Sequence, residues 1–147
     1  MKRKKVSVRA RAIKHGYRSG LEESVANQLQ ENSIPFEYEK EKLQYTQPSK
    51  SRTYTPDFIL PKKDGTNLYI ETKGYWPASE REKMKWVREC NPALDIRLLF
   101  MNPYTKISKR SKTTYADIAN KLGYRWAKAS SKLPEEWLED VLFSIDE

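Results

Sequence analysis

Two short β-type runs on either side of a tight turn constrain the fold of this chain more than any other feature. The runs are YTPDFIL at 54–60 and NLYIETK at 67–73, and the PKKDGT between them contains Asp64-Gly65. Asp-Gly between two β-type runs is a strong hairpin signal, because the dihedral angles of this turn match the twist of paired strands. We therefore predict that the two runs pair antiparallel within a sheet.

The segments before this hairpin show three patterns, typical of a helix, a strand and a connector. Apolar residues recur every four positions within 20–31, which predicts an amphipathic helix. The aromatic-rich and partly alternating FEYEKEKLQY at 36–45 predicts a strand. TQPSKSR at 46–52 contains proline, serine and charge, and predicts a connector. We therefore expect a helix, a strand and a linker, in this order, before the hairpin.

The segments after the hairpin alternate between helix and strand. Periodicity and stop signals predict helices at 80–90, 113–123 and 134–144, separated by strands at 95–101 and 124–129. No internal repeat is present, and 147 residues suit one domain. The whole order predicts a mixed α/β fold whose sheet is covered by helices.

Basic residues are concentrated at the N-terminus. The chain carries 28 Lys and Arg against 20 Asp and Glu, a formal net charge of +8. Residues 1–18 contain no acid, and their basic residues are Lys2, Arg3, Lys4, Lys5, Arg9, Arg11, Lys14 and Arg18. Basic side chains that neutralise phosphates release condensed counterions, so we predict a flexible DNA-binding arm at 1–18 and a folded domain at 19–147. A solvated tail is the alternative, and the absence of acids favours the arm.

A second basic cluster lies between the strand predicted at 95–101 and the next helix. It contains Lys106, Lys109 and Arg110, which suit contacts with a phosphate backbone. A solvated loop is the alternative. No helix-turn-helix or zinc-finger pattern is present to read base edges, so DNA would be recognised by its shape.

Several classes of protein are excluded. No stretch approaches the roughly 18 to 20 apolar residues that a membrane-spanning helix needs, and the charged N-terminus lacks the apolar run of a signal peptide. Cys90 is the one cysteine, so neither an internal disulfide framework nor a cysteine-rich zinc site is available. We expect a cytoplasmic protein with no membrane partner.

The residues with chemical potential lie in the predicted hairpin. Pro56-Asp57 belongs to its first strand, and Glu71-Thr72-Lys73 to its second. If pairing brings the two acids together, their carboxylates and the backbone carbonyl of Thr72 offer the hard oxygen ligands that Mg²⁺ prefers. The Lys73 ammonium would lie beside the metal, an arrangement that suits phosphodiester hydrolysis. The alternative is a pair of exposed strand residues and a turn aspartate.

A further carboxylate, Glu22, lies in the predicted helix at 20–31. The sequence Ser19-Gly-Leu-Glu22 is also a capping box, in which this glutamate would reach back to the Ser19 amide. Sequence spacing leaves open whether Glu22 caps the helix or joins the site.

Four motifs in order resemble those of a known family. They are RSGLE at 18–22, YTPDF at 54–58, ETKGYW at 71–76 and LDIRLLF at 94–100. From about Gly16 to Leu138 the chain resembles the phage endonuclease I family, Holliday-junction-resolving enzymes of the restriction-endonuclease-like superfamily. The resemblance implies a restriction-endonuclease-like α/β core, with a mixed β-sheet flanked by helices.

The resemblance also implies which residues are catalytic. The four catalytic positions of the family fall on Glu22, Asp57, Glu71 and Lys73, and this favours the active-site interpretation of Glu22. The metal ligands would be Asp57, Glu71, the Thr72 carbonyl and, as a further ligand, Glu22. Mg²⁺ is the expected cofactor, with Mn²⁺ able to substitute.

A domain-swapped homodimer is a third implication of the resemblance. A strand at about 44–52 would bridge the two halves, so that each site takes its first glutamate from one chain and its other residues from the partner. An ordinary surface loop is the alternative for this segment. The acidic LEDVLFSIDE at the C-terminus departs from the basic end expected of the family.

The function implied is a Mg²⁺-dependent, structure-selective DNA endonuclease that resolves four-way and other branched junctions, in the host cytoplasm if a phage encodes it. One alternative is a site-specific or nicking endonuclease of the same superfamily. The other is a non-catalytic DNA-binding protein, which the two acids of the hairpin argue against.

Overall fold

A computed structural model describes residues 15–47 and 50–143 of the 147-residue chain. The elements are α1 (Gly20–Glu31), β1 (Glu37–Tyr38), β2 (Leu43–Gln47), β3 (Lys50–Tyr54), β4 (Phe58–Pro61), β5 (Asn67–Lys73), α2 (Ala78–Cys90), β6 (Asp95–Phe100), α3 (Tyr115–Leu122), β7 (Arg125–Lys128) and α4 (Glu135–Leu138). Within the described ranges, no helix has the length and apolar character needed to cross a membrane.

The central sheet has five strands in the order β1-β4-β5-β6-β7. β1, β4 and β5 pair antiparallel, whereas β5, β6 and β7 pair parallel. The predicted hairpin is confirmed: Phe58 pairs with Ile70 and Pro61 with Asn67. Gly65 has a φ of +88° in the turn, a conformation that glycine adopts without a steric penalty.

Helices cover both faces of this sheet. Val25 and Leu29 of α1 pack on one face, in a core that includes Ile70. Met84 and Val87 of α2 pack on the other face with residues of α3, β6 and β7. Side chains alternate between the faces of each strand, and this alternation supplies both cores. The predicted mixed α/β fold with flanking helices is confirmed.

The prediction of one strand at 36–45 is wrong. Only Glu37 and Tyr38 pair with β4 in the central sheet, while Leu43 begins a strand of a separate two-stranded sheet. Glu39 has a φ of +49°, and this left-handed conformation ends the first segment.

The predicted connector at 46–52 is also wrong. β2 and β3 form an antiparallel pair, with Leu43 opposite Tyr54 and Gln47 opposite Lys50. Polar composition suggested a linker, but antiparallel pairing satisfies backbone groups whatever the side chains are. Tyr45 and Tyr54 are buried against the core on the α2 face of the sheet, which anchors the pair. The strand predicted from residue 54 accordingly begins at Phe58.

The predicted helix at 134–144 is mostly wrong. Among its described residues, 134–143, the segment is helical only at Glu135–Leu138, and Val141 then forms an isolated antiparallel bridge with Lys62. Leu142 donates its N–H to the Pro61 carbonyl. Burial of Val141 in the α1-side core and these bonds beside β4 outweigh local helical preference.

Candidate active site

Residues from four elements surround a cavity of about 390 Å³ at one edge of the central sheet. Asp57 immediately precedes β4, and Glu71 to Lys73 end β5, so antiparallel pairing brings them to the same edge. The first turn of α1 adds Glu22. The lining residues of this acidic cavity are Arg18, Glu22, Thr53, Tyr54, Thr55, Asp57, Glu71, Thr72, Lys73, Glu80 and Lys83. All four residues predicted to be catalytic therefore lie together within a single chain.

Asp57 is oriented by the strand beside it. Its Oδ2 accepts hydrogen bonds from the Thr72 backbone N–H at 2.9 Å and from the Thr72 hydroxyl at 2.7 Å. These contacts involve the amide and hydroxyl of Thr72, and the predicted role of its carbonyl as a metal ligand stays a prediction. Burial, together with the charges of Glu71 and Glu22, raises the pKa of Asp57 to about 8 despite the Thr72 hydrogen bonds.

Glu71 lies between a tyrosine and a lysine. The Tyr54 hydroxyl donates to Glu71 Oε2 at 2.6 Å, and Lys73 Nζ lies 3.1 Å from Glu71 Oε1. Glu80 Oε2 is 3.8 Å from the same ammonium. Burial opposes the charge of Lys73, but the carboxylates of Glu71, Glu80 and Asp57 outweigh it and raise the pKa of this lysine. These contacts favour the protonated form of Lys73.

The Glu22 carboxylate is held by two hydroxyl groups. Ser19 caps α1 by accepting a hydrogen bond from the Glu22 backbone N–H at 3.1 Å. The Ser19 hydroxyl donates to Glu22 Oε1 at 3.1 Å, and the Tyr38 hydroxyl donates to Oε2. Capping thus uses the backbone of Glu22 and leaves its carboxylate at the acidic cavity.

Glu39 is a site residue that sequence reasoning missed. Carboxylate oxygens of Glu22, Glu39 and Asp57 all lie within 4.8 Å of one another. Glu39 reaches this position because the chain leaves the sheet there, whereas the sequence placed it inside one continuous strand. Nothing in the sequence distinguishes it from the exposed Glu37 two positions earlier.

The acidic cluster formed by Glu22, Glu39 and Asp57 fits a hard divalent cation. Its donors are carboxylate oxygens, the ligands that Mg²⁺ and Mn²⁺ accept. Burial, followed by the charges of Glu71 and Glu22, raises the pKa of Asp57, so a bound cation would stabilise its ionised form. Glu71 lies in the same cavity, but its observed contacts are Tyr54 and Lys73, so its ligand role stays a prediction.

Sequence comparison identifies the group of proteins that shares these features. The family model described as Phage endonuclease I matches residues 3–147. The chain belongs to the phage endonuclease I family. The resemblance drawn from the four motifs is therefore confirmed.

Two curated phage proteins are similar to this chain. Endonuclease I of Escherichia phage T7 is 41% identical over 124 residues, which cover 84% of this chain and 79% of the T7 protein. Endodeoxyribonuclease 1 of Enterobacteria phage T3 is 41% identical over 111 residues, covering 76% and 70% of the two chains.

The residues predicted to bind DNA in this phage endonuclease I family member fall into three groups. Arg18 lies at the acidic cavity, where its Nη1 is 3.3 Å from Glu39 Oε1. Lys106, Lys109 and Arg110 are exposed in the loop between β6 and α3 and do not line the cavity. The other seven lie outside the described residues: Lys2, Arg3, Lys4, Lys5, Arg9, Arg11 and Lys14. DNA contacts by all three groups stay predictions.

Proposed function

We propose that this phage endonuclease I family member is a Mg²⁺-dependent, structure-selective DNA endonuclease that resolves four-way and other branched junctions by phosphodiester hydrolysis. One observation carries the proposal: Glu22 and Asp57 of the acidic cluster line the same cavity as the Glu71–Lys73 pair. The names of the T7 and T3 relatives, an endonuclease and an endodeoxyribonuclease, support DNA as the substrate.

Glu22, Glu39 and Asp57 would hold the metal, with Glu71 as a further ligand. A bound divalent cation polarises a phosphoryl oxygen and activates water as a nucleophile. The Thr72 amide and hydroxyl fix the Asp57 carboxylate, and the Tyr54 hydroxyl fixes that of Glu71. These bonds hold the donor atoms before DNA arrives and so reduce the reorganisation needed for reaction. Mn²⁺ has similar donor preferences and should substitute for Mg²⁺.

Lys73 has a separate role in the proposed reaction. Its ammonium remains protonated and is held by Glu71 and Glu80 at the cavity. It is placed to donate a hydrogen bond to a phosphate oxygen and to offset the negative charge that develops on the phosphorane.

Two symmetric cuts in opposing strands require two sites, which supports a homodimer. We propose that the dimer is domain-swapped and that the segment at about 44–52 bridges its halves. This segment lies within the β2–β3 pair, between α1 and the strands that bear Asp57 and Glu71. Exchange of identical elements between protomers keeps the same contacts, so each cavity would retain its composition with Glu22 supplied by the partner.

Cleavage of matched DNA substrates tests this function. The purified chain with Mg²⁺ is given a four-way junction and a linear duplex that contains the same cleavage sequence. We expect symmetric paired cuts near the branch point, with the linear duplex cut far more slowly. Equal cutting of both substrates at one sequence would show a site-specific endonuclease. Cuts confined to one strand would show a nicking enzyme. Binding of the junction without cleavage in Mg²⁺ or Mn²⁺ would show a non-catalytic DNA-binding protein.

A further inference from the structure

A second cavity adjoins the acidic cavity at the same edge of the sheet. Its volume is about 710 Å³, and it shares Glu22 and Thr72 with the acidic cavity. Small and apolar residues, including Gly74, Met101 and Ala129, form much of its lining. We name it the apolar cavity, and Glu22 is the one charged residue among its lining residues in the described part of the chain.

Met101 fixes the position of the apolar cavity relative to the proposed chemistry. Its backbone N–H donates to the Lys73 carbonyl at 2.9 Å, and Lys73 pairs with Phe100 in the parallel register of β5 and β6. The Met101 side chain is 56% exposed. A nucleotide whose phosphate occupies the acidic cavity therefore has the apolar cavity next to it.

Large apolar side chains are exposed along this edge. Tyr75, Met101 and Tyr104 are 83%, 56% and 65% exposed, and each lies within four residues of the end of β5 or β6. Grouped exposed apolar side chains mark binding surfaces more often than scattered ones. The exposed group lies at the edge that also carries the proposed active site.

The chemistry of the lining selects the ligand. A phosphate group needs cationic partners around it, whereas the apolar cavity has no basic residue among its described lining residues and carries the Glu22 carboxylate, which repels an anion. A nucleobase presents flat apolar faces, which pack against aliphatic groups and the polarizable thioether of methionine. Cavities of about 300 to 1,000 Å³ are typical of sites for ligands of this size.

We propose that the apolar cavity binds an unstacked nucleobase of the nucleotide next to the scissile phosphate. The inference rests on the proposed endonuclease function and deepens it. Bases in a continuous duplex are stacked and paired, and removing one from the stack costs free energy. A branch point interrupts the continuous duplex, so a base there leaves the stack at a smaller cost, and the apolar cavity favours branched DNA over linear duplex without reading sequence.

Single-turnover cleavage of two four-way junctions tests the proposal. One junction is intact, and the other carries an abasic nucleotide next to the cleavage site, which keeps the sugar and phosphate but lacks the base. Ser24→Trp places a large ring in the apolar cavity from an exposed position on α1, and Met101→Ala removes a lining side chain. The wild-type chain should cleave the abasic junction about tenfold more slowly than the intact one.

Removal of the base from the DNA and substitution of a cavity residue should disrupt the same interaction, so their effects on the cleavage rate should not add. Ser24→Trp should slow cleavage of the intact junction by a similar factor, and its rate on the abasic junction should be little lower still. Met101→Ala should have rates between those of the wild type and Ser24→Trp. Leu142→Ser is the control, because Leu142 is 49% exposed, donates its backbone N–H to the Pro61 carbonyl, and lines neither cavity. It should behave like the wild type, and melting temperatures should show that all variants fold.

Three results would overturn the proposal. The first is that Ser24→Trp and Met101→Ala both cleave the intact junction at the wild-type rate and are slowed by the abasic nucleotide as much as the wild type is. The second is no abasic penalty in the wild type while Ser24→Trp is slow, which would assign the cavity to the sugar–phosphate backbone. The third is the absence of cleavage of either junction by the wild type, which would overturn the proposed function as well and is therefore distinguishable from the first two.

Discussion

The acidic cavity has two walls, which are held in place in different ways. The sheet wall comprises Asp57, Glu71 and Lys73, on the ends of paired strands and bonded to neighbours from the same sheet or the adjoining β3. The N-terminal wall comprises Glu22, which lines the cavity from the start of α1, and Glu39, from the chain beyond β1, which has a carboxylate oxygen within 4.8 Å of those of Glu22 and Asp57. The sheet wall is fixed by local hairpin register, whereas the N-terminal wall depends on packing between distant segments.

Each wall holds a glutamate with a tyrosine hydroxyl. Tyr54 donates to Glu71 from a fully buried position, and Tyr38 donates to Glu22 from a half-buried one. The pKa of each tyrosine is raised, first by burial and also by its glutamate, so each hydroxyl keeps its proton and remains a donor. The glutamate carboxylate of each wall is therefore oriented by its own tyrosine, and single substitutions can test the contribution of each wall to cleavage.

The largest effect is expected in the sheet wall, at Asp57. Asp57→Asn keeps the side-chain shape and an acceptor for Thr72 but removes the charge that would hold the metal. Cleavage should fall at least about a hundredfold in single-turnover assays, while junction binding in Ca²⁺ persists. Near-normal cleavage by this variant would remove Asp57 from the site.

The raised pKa of Asp57 gives this prediction a pH dependence. With a pKa of about 8, the carboxyl is protonated below that pH unless a cation displaces the proton. The Mg²⁺ concentration for half-maximal cleavage should therefore rise as the pH falls from 8 to 6. Without metal, the free energy of unfolding should decline as pH rises from about 4 to 8, because the folded state disfavours the ionised carboxyl. Asp57→Asn should remove that decline in urea titrations.

A comparably large effect on turnover is expected at Lys73. Lys73→Met keeps the aliphatic part of the side chain and removes the ammonium, so kcat should fall about 10²- to 10³-fold with little change in junction affinity. Lys83→Met is the control, because Lys83 lines the same cavity and its ammonium lies 5.7 Å from the Tyr54 ring centroid, over the ring. Equal losses in the two variants would indicate a general electrostatic effect.

A smaller effect is expected in the N-terminal wall, at Glu39. Glu39→Gln removes one charge from the cluster but leaves Glu22 and Asp57, so the Mg²⁺ concentration for half-maximal cleavage should rise several-fold, up to about tenfold. Glu37→Gln, on the exposed side of β1, should leave it unchanged. If both variants respond alike, Glu39 does not contact the metal.

The smallest effects on cleavage are expected at the two tyrosines, because loss of either hydroxyl leaves the charge of its glutamate in place. For the free energy of unfolding, a hydrogen bond to a charged group contributes about 1.5 to 3 kcal/mol, and the larger loss belongs to the more buried site. Tyr54→Phe should therefore lower both the free energy of unfolding and kcat more than Tyr38→Phe does. Urea unfolding and single-turnover cleavage measure the two effects, and the reverse order would contradict the preorganised sheet wall.

The sheet wall could be predicted from sequence because its determinants are local. The Asp64-Gly65 turn sets the antiparallel register of β4 and β5, and strand alternation then decides which side chains share a face. Asp57, Glu71 and Lys73 lie within this short segment, so their presence in one cavity follows from the hairpin alone.

The N-terminal wall could not be predicted in the same way. Glu39 adopts a positive φ that its residue type does not favour, and this break separates β1 from β2. The β2–β3 pair is anchored by Tyr45 and Tyr54 against a core assembled from distant segments. The motif at 18–22 predicts Glu22, but one of the two hydroxyl groups that hold its carboxylate belongs to Tyr38, sixteen residues away.

We propose that the two walls form one active site and come from different chains of a homodimer. One chain carries Glu22→Ala and a second chain, with a different tag, carries Asp57→Ala. The two chains are refolded together, and the purified heterodimer is given a supercoiled plasmid with an extruded cruciform. In a swapped dimer, one cavity receives both changes and the other receives neither. We predict nicking of the plasmid without linearisation, while both mutant homodimers are inactive. A heterodimer that neither nicks nor cuts would contradict the account, because each cavity would then carry one change and both walls would belong to the same chain.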